Sequence, residues 1–282
     1  MSSIEKLPKL PSGEPAIPAL YDPQLRWAML RSRWAYIVRL AFEMRILRPL
    51  EDRLFERWLT QKRFARQVEA TGLPYRSVEA HLDKNLALQV DPNALTQLIS
   101  IPRSFPVKSE RRSALNQFIW KGEWDRTRYD FRKGSRYRLI DDIWRHQDDL
   151  IESASYRRLV QRIAQGNPFR SHQKGILLNT PDKVLAYLNV YIGYMKDMQR
   201  DGFDNTLGKD RLGVAIDRHG RVVKLNRGLH RLAMAQVLGL KTIPVQVRSV
   251  HARWWFEVTS GERGEAALMK MVEALRDCRP AS

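Results

Sequence analysis

Leu212-Gly-Val-Ala-Ile216, Arg221-Val-Val-Lys-Leu225, Asn226-Arg-Gly228, Leu229-His-Arg-Leu-Ala-Met-Ala235 and Ile243-Pro-Val-Gln-Val247 are the runs whose reading decides the fold. The two β-rich runs are joined by Asp217-Arg-His-Gly220, a turn composition that predicts an antiparallel hairpin. After Asn226-Arg227-Gly228 a helix is expected over 229–238, with Gly239 as its left-handed stop and a further strand over 243–247. A strand that passes through a glycine into a helix and back to a strand belongs to the α/β (α+β) classes. The first turn of that helix would set backbone N–H groups, a positive helix end, His230 and Arg231 side by side, a chemistry suited to phosphate. A glycine and an arginine also occur in strand-turn-helix connections that bind nothing, so on the residues alone both readings stand.

The run from Leu225 to Ala235, followed by Leu238-Gly-Leu-Lys-Thr-Ile-Pro-Val245, resembles the signature of the ParB/sulfiredoxin superfamily. There, Gly-x-His/Arg-Arg opens a helix and Leu-Gly-x-x-x-Ile-Pro-Val follows. The likeness covers about residues 212–247. It implies a ParB/sulfiredoxin-like mixed-sheet domain that binds nucleotides at this turn: ATP or ADP as in sulfiredoxin and the free serine kinases, or CTP as in the partition proteins. By position it makes Asn226, Arg227, Gly228, His230 and Arg231 the nucleotide-binding residues. Gly228 would let phosphates approach the backbone, and His230 and Arg231 would contact them, also in a catalytic role.

The departures matter equally. Sulfiredoxin has its catalytic cysteine directly after the motif glycine, where this chain has Leu229, so sulfinic-acid reduction is not expected. The serine kinases have an acidic residue directly before the glycine, where this chain has Arg227. The stretch beyond Val247 offers one helix, residues 266–276, so partition-type DNA reading is not expected either.

Phe118-Ile-Trp-Lys-Gly-Glu-Trp-Asp125 is similar to a Gly-Asp-Trp-Asp element of poorly characterised members, and His251-Ala-Arg-Trp254 to their His-x-x-Trp segment. The likeness implies a domain over about 94–256 with helical insertions, and brings Asp125, with Glu123 and His251 around it, towards the phosphate turn. Asp125 is then the expected metal ligand for Mg2+ or the general base of an ATP- or ADP-dependent phosphotransferase acting on a small hydroxylated or glycan-like substrate. The plainer reading leaves Asp125 capping a surface turn on which Trp124 packs. The rival function is a non-catalytic module for CTP or nucleic acid.

Four regions are expected: a proline-rich mobile arm over 1–25, a basic helical region over 26–93, the domain over 94–256, and a C-terminal helix and tail over 257–282. Trp27, Leu30, Trp34, Ile37, Ala41 and Met44 recur at steps of three and four and predict one long helix, ended or kinked by Pro49, with a second helix over 50–70. Between 26 and 66 stand eleven Arg or Lys against four Asp or Glu, net +7. Such helices suit a bundle whose apolar face is buried and whose arginines are solvated, or an anionic membrane surface or nucleic acid. Residues 98–102 read as a short strand and 111–120 as another strand or turn-flanked element. Helices are expected over 137–150, 155–165 and 181–200, the last with Thr180 as N-cap, a Lys183–Asp182 surface pair and Gly202 as its stop.

Forty-nine Lys and Arg against 31 Asp and Glu give net +18, which favours anionic partners, while 43% hydrophobic and 9% aromatic residues suffice for a packed core. One cysteine, Cys278, excludes an intrachain disulfide and a cysteine zinc site, and the histidines show no metal-ligand pair at helical spacing. The pairs Asp141-Asp142 and Asp148-Asp149 read as a solvated acidic face. No signal peptide is expected, and the longest uncharged apolar stretch, 184–195, is too short to span a bilayer. A cytoplasmic protein, free or peripheral to the membrane, is therefore expected.

Overall fold

A computed structural model describes residues 9, 17–61, 63–205 and 211–281. In chain order these form α1 (Arg26–Phe42), α2 (Arg48–Leu59), α3 (Ala65–Ala70), α4 (Tyr75–Leu82), β1 (Ala87–Val90), β2 (Gln97–Ile99), α5 (Ile101–Ser104), α6 (Lys108–Asn116), β3 (Ile119–Trp120) and β4 (Arg128–Asp130). There follow α7 (Ser135–Arg145), α8 (Ala154–Ala164), β5 (Phe169–Ser171), β6 (Ile176–Leu178), α9 (Pro181–Asp201), β7 (Gly213–Ile216), β8 (Arg221–Lys224), α10 (Leu229–Val237), β9 (Ile243–His251), α11 (Ala252–Thr259), α12 (Gly264–Leu275) and β10 (Arg279–Pro280). The class is mixed α+β, as expected. Contacts divide the chain into one unit of residues 1–45 and 139–200 and another of 46–138 and 201–282, boundaries other than those read from composition.

The first unit holds α1, the β5–β6 hairpin, α8 and α9. The proline-rich arm at 1–8 and 10–16 lies outside the described residues, but residues 17–25 are seated. Tyr21 bridges Ile176, and the Asp22 N–H donates to the Gly175 carbonyl at 2.9 Å. Lys183 donates to Asp22 at 2.7 Å instead of pairing with Asp182, because Asp22 is buried and its carboxylate needs a cation. Helix α9 starts as expected, with Thr180 Oγ1 accepting the Lys183 N–H at 3.3 Å, and Gly202 (φ 80°) follows its end.

The long first helix is present to Phe42, continues through a π-helical turn at Glu43–Leu47, and has Pro49 in the first turn of α2. Its burial is the reverse of the bundle expectation. Trp27, Trp34, Ile37 and Met44 are exposed, and Met29 is the buried side chain of α1. Periodicity identifies a face; it does not say that anything covers it.

In the second unit one mixed sheet runs β1-β9-β7-β8-β2-β4, with β3 added to β9 and β10 to β8. The predicted hairpin is β7–β8, antiparallel, with Ala215 opposite Val223. Strand β9 lies parallel to β7, and β2 lies parallel to β8 with Leu98 opposite Lys224. Val214, Ala215, Ile216, Val222, Val223 and Val247 are fully buried, each valine or isoleucine contributing about 1.5–3 kcal/mol of apolar burial. Three local readings are corrected. The helix expected over 50–70 is two helices, because Gln61 (φ 52°) and Phe64 (φ 73°) are left-handed and break it. The stretch 111–120 is the end of α6 followed by β3, since only Ile119 and Trp120 find a partner strand, β9. The run 98–102 leaves the sheet after Ile99, where Pro102 opens α5.

Candidate phosphate-binding cleft

Strand β8 delivers Lys224 into the turn Leu225-Asn226-Arg227-Gly228, and α10 begins at Leu229. Gly228 is the N-cap with φ 71° and ψ 26°, a left-handed conformation that costs any L side chain, and a Cβ there would meet Leu212 at 2.9 Å. The first intrahelical bond runs from the Leu232 N–H to the Gly228 carbonyl at 3.0 Å. The N–H groups of residues 229–231 precede it at the positive end of a nine-residue helix.

Lys224 holds the turn from within. Its ammonium is fully buried and donates to the carbonyls of Gly213 at 2.8 Å, Leu225 at 2.6 Å and Arg227. All three ammonium protons are thereby used. Burial, reinforced by the charges of Arg231 and Arg227, holds its pKa well below the usual lysine value. The Arg231 guanidinium lies 5.4 Å from the Phe203 ring centroid. A third arginine arrives through a β-bulge: Val214 pairs with Val247 and Ala215 with Ser249, so Arg248 is the extra residue of β9. Its guanidinium lies 4.0 Å from the Tyr75 ring centroid, and its stem crosses Gly213, where a Cβ would fall 2.8 Å from Arg248 Cδ.

Because β2 and β8 are parallel, both C-terminal ends open on the same side of the sheet, the position where α/β sheets bind ligands. A cleft of about 570 Å³ lies there, within the usual size of a small-molecule site. Ser100, Arg103, Tyr129, Arg136, Asn226 and Leu229 line it. A smaller recess lined by Arg227 and Arg248 shares Asn226 with it.

Asp125 is elsewhere. It is buried, and its carboxylate accepts from the Arg218 backbone N–H at 3.1 Å, from Arg218 Nε at 2.9 Å and from Arg218 Nη2 at 2.6 Å. Burial pushes its pKa up, but the hydrogen bonds from Arg218 bring it down to about 2, and His251 Nε2 lies 3.8 Å away. Arg218 also donates to Glu123 at 2.9 Å. His251 Nδ1 accepts the Arg253 N–H at 3.0 Å, so Nε2 carries the proton and donates to the Gly122 carbonyl at 3.0 Å. Where the resemblance put Glu123, Asp125 and His251 around the Gly228 turn, they come together instead around the β7–β8 hairpin turn. The length of β8, four residues or about 13 Å, separates that turn from Asn226.

Asp125 is therefore corrected as general base and as Mg2+ ligand: its oxygens are engaged by an arginine and turned into the protein. Of the plainer reading, the packed Trp124 and the cap on a backbone N–H, that of Arg218, hold, while the surface position does not, since Asp125 is 1% exposed. Of Asn226, Arg227, Gly228, His230 and Arg231, which form one turn and helix start, Asn226 lines the cleft and Arg227 the smaller recess; Asn226 and Arg227 are exposed, and Gly228, His230 and Arg231 half-buried.

Lys224 and Arg248 were not singled out from the sequence. Lys224 carried a signal, a lone lysine closing an apolar strand directly before the turn; Arg248 carried none, because a bulge depends on register across two strands. Comparison with family models, curated proteins and solved structures finds no match to this chain.

Proposed function

We propose that this protein binds a phosphorylated ligand of nucleotide size, ATP, ADP or CTP, in the cleft at the C-terminal ends of β2 and β8. One observation carries the reading: the buried Lys224 ammonium draws the carbonyls of Leu225 and Arg227 inward, on either side of Asn226, with the Arg227 and Arg231 charges nearby at the start of α10. Gathering three cations around one helix N-terminus is electrostatically costly, and an anion offsets that cost. Phosphates would sit against Gly228 and the first turn of α10, with Arg231 and His230 beside them and Arg103 and Arg136 at the cleft wall. The resemblance of Leu225–Val245 to the ParB/sulfiredoxin signature supports the same turn.

Binding, rather than transfer, is what the geometry supports. Phosphoryl transfer to a hydroxyl needs a carboxylate near the acceptor, and among the described residues that line the cleft none is acidic. Among its described lining residues the cleft offers Mg2+ no carboxylate, so a divalent cation would be carried on the nucleotide's own phosphates.

The test is calorimetric titration with ATP, ADP, CTP and a short DNA duplex, with magnesium, at low and moderate salt. At least one nucleotide should bind, and Arg231→Ala and Lys224→Met should each weaken it by about tenfold or more. Duplex binding that collapses with salt, with no nucleotide signal, would contradict the reading and make the protein a binder of nucleic-acid phosphates.

A further inference from the structure

Helix α1 is inverted. Along 17 residues at about 100° per residue, Trp27, Trp34, Val38 and Phe42 share one side, and they are 81%, 66%, 62% and 51% exposed. The opposite side carries the buried Met29 and the half-buried Ser32 and Tyr36. Single exposed apolar residues need no explanation, but four in line, two of them tryptophan, with Ile37 exposed at the edge of the same side, form a patch that solvent does not favour. The helix contains four arginines, Arg26, Arg31, Arg33 and Arg39, and no acidic residue.

We propose that this face of α1 lies in the headgroup layer of an anionic lipid surface. Tryptophan is suited to the boundary between headgroup and acyl chain, and arginines beside the apolar face can keep their stems in it while the guanidinium reaches lipid phosphate. The charge pattern selects among occupants. A second copy docked isologously would press the arginines of one α1 against those of the other. A nucleic acid would leave Val38 and Ile37 with nothing to stack on or donate to. No helix of the described residues is long and apolar enough to cross a membrane, so α1 lies on the surface rather than through it. The proposal is independent of the cleft.

The test is co-sedimentation of the full chain with vesicles of phosphatidylcholine alone and of phosphatidylcholine mixed with phosphatidylglycerol. Binding is expected to the mixed vesicles and not to the neutral ones. Trp27→Ser with Trp34→Ser should reduce it by at least about tenfold, and Arg26→Gln with Arg31→Gln and Arg39→Gln by a similar factor. Both variants alter exposed side chains, so the circular dichroism spectrum and thermal midpoint should match wild type. Failure to bind either vesicle, or equal binding to both, overturns the proposal. So does a wild-type dimer in sedimentation that the tryptophan variant abolishes while vesicle binding is unchanged.

Discussion

Two buried charges define the residue scale. Lys224 is buried among backbone carbonyls and cations, and its energetic position improves when an anion arrives. Asp125 is buried with its partner already present, and it has the properties of a fastening. Arg218 reaches from the hairpin turn to bind Asp125 and Glu123, while Asp217 accepts the His219 and Arg221 N–H groups at 2.8 Å and Arg128 at 2.7 Å. These contacts tie the hairpin to the segment around Trp124. Because the pKa of Asp125 falls from 3.8 in the unfolded chain to about 2 in the folded one, its stabilisation is complete above about pH 4 and is lost as pH drops towards 2. Arg218→Met leaves that carboxylate buried without its cation. Denaturant midpoints should fall by the equivalent of about 3 kcal/mol at pH 7, with a much smaller difference near pH 2. A difference that does not change with pH would contradict the fastening role.

At the scale of elements, the hairpin β7–β8, the Gly228 turn and α10 form a continuous unit, and this was the part most legible in the sequence. Its signals are local: alternating apolar residues, Asp-Arg-His-Gly between two strands, a glycine where a left-handed residue is needed. Helix α1 was legible as a helix but not as a surface, because a period of 3.6 is equally present whether a face meets a core or a bilayer. Asp125 was misplaced for a related reason. The sequence offers two ends of β8 for it, and which one it reaches follows from the pairing of β3 with β9 and of β9 with β7, none of it local. The element-scale prediction concerns the turn. Gly228→Ala forces a Cβ into a left-handed residue and against Leu212, and should lower stability by about 1–2 kcal/mol while weakening nucleotide binding. Full affinity with unchanged stability would mean the turn is not held in this conformation.

For the whole molecule, net +18 favours anionic partners and points to no site. The sheet locates one place where that charge becomes specific, since parallel β2 and β8 open a cleft beside the start of α10. The sequence leaves a bundle, an anionic membrane surface or nucleic acid open as the surroundings of the basic helices; the exposed tryptophans of α1 speak against the bundle. Lys224 and Arg248 show why the site was only partly readable: each acts through a partner strand, so neither has a meaning until the register is known.

The central claim, that the Asn226-Gly228 turn and the first turn of α10 receive phosphate, is tested most directly by amide hydrogen exchange with and without ADP. The account predicts that ADP slows exchange at residues 228–232 more than anywhere else in the sheet unit, and that Arg231→Ala removes the effect. ADP-dependent protection centred on the Asp125–Arg218–His251 end of the sheet, with residues 228–232 unchanged, would contradict it.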